Sequence, residues 1–222
     1  MRMALISDTH GMLPRRELFH GADVVIHAGD IAQDYQQQYW LDRVFFPWCE
    51  RLEIPIHATW GNHDNPASCN LTQAPPNLHI HVDEAVEIGG VKFWFSPWSP
   101  VFGGWSWMRS EDNLLERYAR IPKDTEIIVS HTPPRDACDG TYVAPGQRLG
   151  STALKVAAAG LPRLRLIVCG HIHDGRGEGE LNGVRVLNVS TVDELYRQHE
   201  DPITWLDGDT AKVIRNAVSE AR

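Results

Sequence analysis

The sequence lacks long apolar runs, paired cysteines and any excess of basic residues. No stretch approaches the roughly 18 apolar residues of a membrane span, and the apolar start, Met1 to Ile6, is too short for a secretory signal. The 4 cysteines of this 222-residue chain stand singly, without the CxxC spacing of a zinc knuckle or a redox pair. These absences predict a cytoplasmic protein that does not associate with membranes.

The charge balance excludes one class of partner. The chain carries 29 acidic against 21 basic residues, a formal net charge of -8. A protein that holds nucleic acid along a broad face needs clustered lysine and arginine. We therefore expect no stable nucleic-acid complex, and the sequence leaves the oligomeric state open.

The order of apolar segments predicts a mixed α/β fold. In the first half, apolar runs of strand length alternate with helical stretches, which is typical of parallel strands. A helix is predicted over Asp34–Phe46, opened by Asp34 and ended by Pro47. Because no composition shift marks a linker, residues 1–222 are expected to form a single domain of two sheets packed face to face. The early strands are Met3–Ser7, Val24–Ala28 and Ile56–Thr59, and hairpin turns are predicted at Gly89-Gly90, Asn182-Gly183 and Asp207-Gly208.

Five segments share one form, an apolar strand, then a small residue, then a potential metal ligand. The carboxyl ends of the strands in such a sheet open on one crevice, so we expect these side chains to meet there. A glycine before Asp30, Asn62 and His171 is expected to let the backbone turn sharply. The motifs are Asp8-Thr9-His10, Gly29-Asp30, Gly61-Asn62-His63-Asp64, His131 and Gly170-His171-Ile172-His173.

These side chains offer carboxylates, one amide and several imidazoles, without a thiolate. Such a set suits Mn, Fe, Zn, Co or Ni better than a structural zinc site. Two ions about 3.5–4 Å apart, bridged by a carboxylate, are the usual arrangement when so many ligands converge. The competing interpretation, that the histidines are ordinary core and capping residues, requires all five motifs to arise in order by coincidence.

The ordered set of motifs resembles the calcineurin-like metallophosphoesterases, over about Ala4 to Val192. The resemblance implies a two-sheet β sandwich flanked by helices (αββα) with two divalent or trivalent metal ions at the strand ends. It further implies that His63 protonates the leaving group and that Asp64 orients His63. By the same resemblance, Asp8, His10 and His173 would hold one ion, Asn62, His131 and His171 the other, and Asp30 would bridge them.

Two details bear on the branch of that family. Asp34 is followed by Tyr35, where protein-phosphatase members carry a phosphate-binding arginine. The short chain and Pro133-Pro134 after His131 are most similar to the small branch of class III cyclic-nucleotide phosphodiesterases. The resemblance therefore argues against a serine/threonine protein phosphatase.

The expected activity is hydrolysis of small phosphodiesters, with cyclic nucleotides as one substrate class. Two cations would lower the pKa of a bridging water from 15.7 to about 7 and so supply hydroxide at neutral pH. The alternatives are a phosphomonoesterase or nuclease with the same metal site, or a non-catalytic scaffold. The acidic charge disfavours a nuclease, and the intact motifs disfavour a scaffold.

Histidines and tryptophans outside the motifs have several interpretations. His27 and His57 lie inside strands and are predicted to be core or interface residues, whereas His79 and His81 are predicted to lie at the surface. Trp98, Trp105 and Trp107 lie in a loop broken by Pro and Gly. They either pack on one another or form a rim that stacks on a nucleobase or aryl ester.

Overall fold

Two six-stranded sheets carry most of the fold. The computed structural model describes residues 1–142, 145–207 and 212–214. The strands in these residues, in chain order, are β1 (Arg2–Ile6), β2 (Val24–His27), β3 (Ile56–Ala58), β4 (Leu78–Ile80), β5 (Glu84–Ile88), β6 (Val91–Ser96), β7 (Ser99–Pro100), β8 (Met108–Arg109), β9 (Ile127–Ser130), β10 (Leu166–Cys169), β11 (Gly177–Leu181), β12 (Val184–Asn188), β13 (Thr204–Asp207) and β14 (Lys212–Ile214).

The first sheet has the order β14-β13-β1-β2-β3-β4, and its strands β1 to β4 are parallel. The second sheet has the order β11-β12-β10-β9-β6-β5, and its four central strands are parallel. A parallel bridge between Ser7 and Ser190 joins residues that follow β1 and β12. The carboxyl ends of the central strands in both sheets therefore open on the same side.

Helices cover the outer face of each sheet. The first sheet packs against a helix made of α1 (Gln37–Trp40), a π-helical turn (Leu41–Phe45) and α2 (Phe46–Leu52), and the second against α3 (Glu111–Tyr118) and α4 (Thr152–Ala159). A third apolar cluster, which includes Leu5, Ile26, Phe93 and Val168, fills the space between the sheets. The predicted two-sheet sandwich with flanking helices is confirmed.

The predicted end of the first helix at Pro47 is wrong, because the helix continues to Leu52. The backbone N–H of Phe46 bonds to the carbonyl of Leu41, the longer hydrogen bond of a π-helical turn. Pro47 then occupies the first turn of the next helical segment. A residue without an N–H is tolerated there, so the proline does not stop the helix.

Two of the three predicted hairpins are confirmed. Gly89 and Gly90 join β5 to β6, and Asn182 and Gly183 join β11 to β12, all four with positive φ. The third predicted turn, at Asp207-Gly208, extends outside the described residues. Each helix in the described residues is too short or too polar to span a membrane.

Candidate metal centre

The strand ends bring the predicted ligands together. Asp8, Asp30 and Asn62 follow β1, β2 and β3 of the first sheet, whereas His131 and the pair His171 and His173 follow β9 and β10 of the second. The potential ligand atoms fall into three groups, within each of which they lie no more than 4.8 Å apart. The groups are Asp8, His10 and His173; His10, Asp30 and His63; and Asp30, His131 and His171.

Asp30 lies between neighbouring groups. Its Oδ2 is 3.3 Å from Nε2 of His131 and 3.7 Å from Nε2 of His10. Nε2 of His10 is in turn 3.3 Å from Nε2 of His173, which is 3.6 Å from Oδ1 of Asp8. One carboxylate oxygen thus faces donor atoms on both sides, as a shared ligand would.

Backbone carbonyls orient two of the imidazoles. Nδ1 of His131 donates to the carbonyl of Ala28 at 2.9 Å, and Nδ1 of His173 donates to the carbonyl of Asp193 at 3.1 Å. These hydrogen bonds hold Nε2 of each ring toward the carboxylates. Such outer partners fix which nitrogen of a histidine is free to bind a metal.

The two carboxylates are buried among imidazoles. Asp8 is 0% and Asp30 2% exposed, and in the described part of the chain no lysine or arginine pairs with either. Burial raises the pKa of Asp8, but His173 more than offsets this and holds the pKa below its usual value. Burial likewise raises the pKa of Asp30, and His131 brings it well below the usual value. Both carboxylates therefore remain ionised and need positive charge nearby.

His131 shows that the pocket fits a cation. Burial lowers its pKa, but Asp30 raises it to about 9. Nε2 of this charged ring donates to Oδ1 of Asn62 at 2.9 Å and also faces Asp30. The imidazolium thus supplies the positive charge that a metal ion would bring. Burial lowers the pKa of His171 to about 3, so that ring is neutral and its lone pair is available to a metal.

The backbone at these positions is strained. Asp8, His10, Asp30 and His171 have φ of 52°, 43°, 53° and 67°, in the left-handed region that non-glycine residues rarely adopt. Strain of this kind is typical of sites where geometry serves function.

Gly61 and Gly170 precede ligands for a reason other than the predicted sharp turn. Neither has a positive φ. A Cβ on Gly61 would overlap Oδ1 of Asp30, and one on Gly170 would overlap Oδ2 of Asp8. Glycine is required because the carboxylates occupy the space of a side chain.

The side chain that orients His63 is Asp34. Nδ1 of His63 donates to Oδ1 of Asp34 at 2.7 Å, and the backbone N–H of His63 donates to Oδ1 of Asp30 at 2.8 Å. Because Asp34 engages Nδ1, Nε2 is the nitrogen left to interact with a ligand. The spacing between Asp34 and His63 in the chain does not indicate this contact. The signal that the sequence offered was the position of Asp34, four residues after Asp30 in the same loop.

The predicted contact between Asp64 and His63 is wrong. Asp64 is fully buried and accepts hydrogen bonds from the backbone N–H groups of Ile31, Ala32 and Gly61, at 2.9–3.1 Å. Burial and the nearby Asp30 raise its pKa to about 7. Its carboxylate satisfies buried donors and ties the Asp30 loop to the Gly61 loop, so it points away from His63.

Comparison with known proteins identifies the family of this site. The sequence profile of the family described as calcineurin-like phosphoesterase matches residues 1–175. The chain belongs to this family. It is therefore a hydrolase of phosphate esters, and the family uses divalent metal ions.

Several known proteins are similar to this phosphoesterase in sequence or in fold. Metallophosphoesterase domain-containing protein 1 of Homo sapiens is 26% identical over 239 residues, covering 91% of this chain and 69% of the relative. The phosphopantetheinyl hydrolase of Mycobacterium tuberculosis has a similar fold, with a TM-score of 0.59, 16% identity and coverage of 96% and 98% of the two chains. A dimetal phosphatase of Danio rerio matches with a TM-score of 0.57, 12% identity and coverage of 92% and 91%.

The phosphoesterase site opens into a cleft of about 700 Å³. Its floor includes Asp30, Asn62, His63, His171 and His173. Its walls carry two arginines and three aromatic rings. Of these five residues, the sequence had suggested only Trp105 as part of the site. The wall residues are Phe102, Trp105, Arg135, Arg148 and Tyr196.

Among the histidines outside the metal centre, one prediction is confirmed and another is wrong. His27 is fully buried, with Nδ1 accepting from the N–H of Gly29 and Nε2 bonded to Oγ1 of Thr9, so its predicted core position is confirmed. The predicted surface position of His81 is wrong, because it is 8% exposed and bonds to His57 and Glu84. It faces inward because β5 of the second sheet lies beside this edge of the first.

Proposed function

We propose that this phosphoesterase hydrolyses small phosphodiesters at a centre that holds two divalent ions. The observation that carries the proposal is the position of Asp30, whose Oδ2 faces His131 on one side and His10 on the other. One group of ligands would be Asp8, His10 and His173, the other Asn62, His131 and His171, with Asp30 common to both.

Bound divalent cations supply an activated water nucleophile and neutralise charge on the phosphoryl oxygens. The chain itself contributes a proton donor. Asp34 holds Nδ1 of His63 at 2.7 Å and keeps the ring turned toward the cleft, where a doubly protonated ring would give its Nε2 proton to the departing alkoxide and become neutral with the other proton still on Nδ1. General-acid assistance of this kind contributes about 10²–10⁴ in rate.

The charges of the cleft support a diester over a monoester. Five acidic residues line it, against the two arginines Arg135 and Arg148. Arg148 already pairs with Asp139 at 3.1 Å, whereas Arg135 donates to the carbonyl of Arg148. A diester carries one negative charge and a monoester up to two, so the acidic residues outside the metal ligands repel the diester less. The volume of the cleft is within the about 300–1,000 Å³ of small-ligand sites.

Hydrolysis of monoesters is the second candidate. One protein of similar fold is described as a dimetal phosphatase, which supports this alternative. Cyclic nucleotides are one class of substrate within the diester proposal. A small phosphate ester is thus the proposed partner of the site in either case.

Turnover of bis(4-nitrophenyl) phosphate and 4-nitrophenyl phosphate with added Mn²⁺ tests the proposal. We expect the diester to have the higher kcat/KM and EDTA to abolish both reactions. Asp34→Asn should lower kcat about 10-fold or more for an ester with an alkyl leaving group, and much less for a nitrophenyl ester, because only the poor leaving group needs a proton. Asp23→Asn, at an exposed residue remote from the cleft, is the matched control.

Two results would contradict the proposal. Turnover that persists in EDTA would remove the metal requirement, and a higher kcat/KM for the monoester would favour the phosphomonoesterase. An equal loss for alkyl and nitrophenyl leaving groups in Asp34→Asn would show that Asp34 positions His63 for something other than proton donation.

A further inference from the structure

Three large rings border the candidate metal ligands and remain exposed. Phe102 is 59%, Trp105 47% and Tyr196 45% exposed. The ring centroid of Trp105 lies 4.2 Å from that of His63, Phe102 5.3 Å from His171, and Tyr196 4.8 Å from His10. Exposed rings concentrated around one polar cleft are typical of a ligand-binding wall.

One wall is the loop that carries Phe102 and Trp105. The other two tryptophans of this loop, Trp98 and Trp107, are packed inward. Trp98 is 6% exposed and stacks beneath the guanidinium of Arg117 at 3.9 Å, while Nε1 of Trp107 donates to the carbonyl of Asp64 at 2.8 Å. The N–H of Ser106 donates to the carbonyl of Asn62 at 3.0 Å. The predicted packing of tryptophans on one another thus holds for Trp98 and Trp107, which anchor the loop, and the tip of the loop places Phe102 and Trp105 at the cleft.

A second segment of the wall, which carries Tyr196, is tied to a predicted metal ligand. The carbonyl oxygen of Asp193 accepts a hydrogen bond from Nδ1 of His173. The same oxygen accepts a second hydrogen bond, at 2.9 Å, from the backbone N–H of Tyr196, which closes a turn. Tyr196 has a φ of 58°, a conformation that a large side chain rarely adopts. The turn therefore holds the ring of Tyr196 beside His10 and His173 despite backbone strain.

We propose that Phe102 and Trp105, together with Tyr196, bind a flat aromatic ester group of the substrate, a nucleobase or an aryl ring. This inference rests on the proposed function, because it needs the phosphoryl group to sit at the metal ligands. Rings offer a flat face that a planar group covers fully and a puckered saturated group does not, so stacking discriminates by shape as well as by apolar area.

Calorimetric binding of phosphonates to the Mn²⁺-loaded protein tests this inference, since their P–C bond is not hydrolysed. The probes are methylphosphonate, cyclohexylphosphonate, phenylphosphonate and the phosphonate analogue of adenosine 5′-phosphate. We expect phenylphosphonate to bind about three- to tenfold more tightly than cyclohexylphosphonate. Trp105→Leu and Phe102→Leu should reduce this ratio toward one. Tyr39→Leu, at an exposed ring on α1 outside the cleft, should preserve it.

The outcomes separate this inference from the proposed function. Equal binding of the phenyl and cyclohexyl compounds, with both tighter than methylphosphonate, would show an apolar wall without preference for flat rings and overturn the inference. Binding of methylphosphonate together with Mn²⁺-dependent hydrolysis would still support the proposed function in that case. Absence of both would contradict the proposed function itself. Tighter binding of the adenosine analogue than of phenylphosphonate would identify the ring as a nucleobase, and the reverse an aryl group.

Discussion

At the scale of single residues, two missing side chains shape the site as much as the ligands do. Gly61 and Gly170 leave room for the carboxylates of Asp30 and Asp8, which lie where a Cβ would stand. The overlap would involve buried carboxylates that also accept backbone hydrogen bonds, the N–H of His63 by Asp30 and the N–H of His171 by Asp8. Neither carboxylate can move away without losing these partners.

Gly61→Ala is therefore expected to disrupt the site through one methyl group. We expect a loss of Mn²⁺-dependent turnover of about 100-fold or more, because displacement of catalytic groups by about 1 Å has costs of that order. Turnover and Mn²⁺ affinity, the latter by calorimetry, are the measurements. Gly160→Ala is the control, since a Cβ there meets its nearest atom at 3.4 Å, an ordinary contact. Wild-type Mn²⁺ affinity in Gly61→Ala would show that Asp30 has other positions open to it.

The hydrogen-bond partners of the site residues were the part of the site that the sequence predicted least well. Asp64 is adjacent to His63 in the chain, yet its carboxylate accepts three backbone donors from two loops. Asp34, 29 residues away, reaches the imidazole instead. Which acid faces a given histidine depends on loop paths, and no local pattern encodes them.

At the scale of elements, one contact joins the edges of the two sheets. Nδ1 of His57 on β3 and Nε2 of His81 after β4 are 3.0 Å apart, and Nδ1 of His81 donates to Oε2 of Glu84 on β5 at 2.8 Å. The ring of His79 stacks on that of His57 with centroids 4.8 Å apart. The first sheet thus meets the second at this edge through a chain of titratable groups.

Acid is expected to weaken this edge. Burial, and then the neighbouring His81 and His79, lower the pKa of His57 from 6.5 to about 4. Between these values the unfolded chain binds a proton at His57 and the folded protein does not, so the free energy of unfolding falls as pH is lowered from 6.5 toward 4. Urea unfolding in EDTA at pH 7 and pH 5 measures this. His57→Gln should lose less stability over that interval than the wild type, and an equal loss in both proteins would contradict the assignment.

At the scale of the whole molecule, the site spans both sheets. The first sheet supplies Asp8, His10, Asp30 and Asn62, and the second supplies His131, His171 and His173. Neither set by itself includes enough ligands for two ions. Binding of both ions would therefore depend on the packing of the two sheets against each other. For this reason we propose that the chain acts as a single domain.

Metal binding should accordingly stabilise the folded protein. A ligand that binds only the folded state at 100 times its Kd adds about 2.7 kcal/mol to the free energy of unfolding. We expect Mn²⁺ to raise the melting temperature and EDTA to reverse the change, both measured by calorimetry. Asp30→Asn should show a much smaller response, because it removes the ligand shared by both groups. A response as large as in the wild type would place the stabilising ion elsewhere.

The sequence by itself determined the fold class and the collection of candidate ligands. Both follow from local pattern, since an apolar run followed by a polar residue predicts where a parallel strand ends, and parallel strands of one sheet end on one side. Only the tertiary structure decided that Asp34 pairs with His63, that His81 is buried between sheet edges, and that Phe102 and Tyr196 line the same cleft. These are contacts between segments far apart in the chain, and their geometry depends on how loops pack once the two sheets have met.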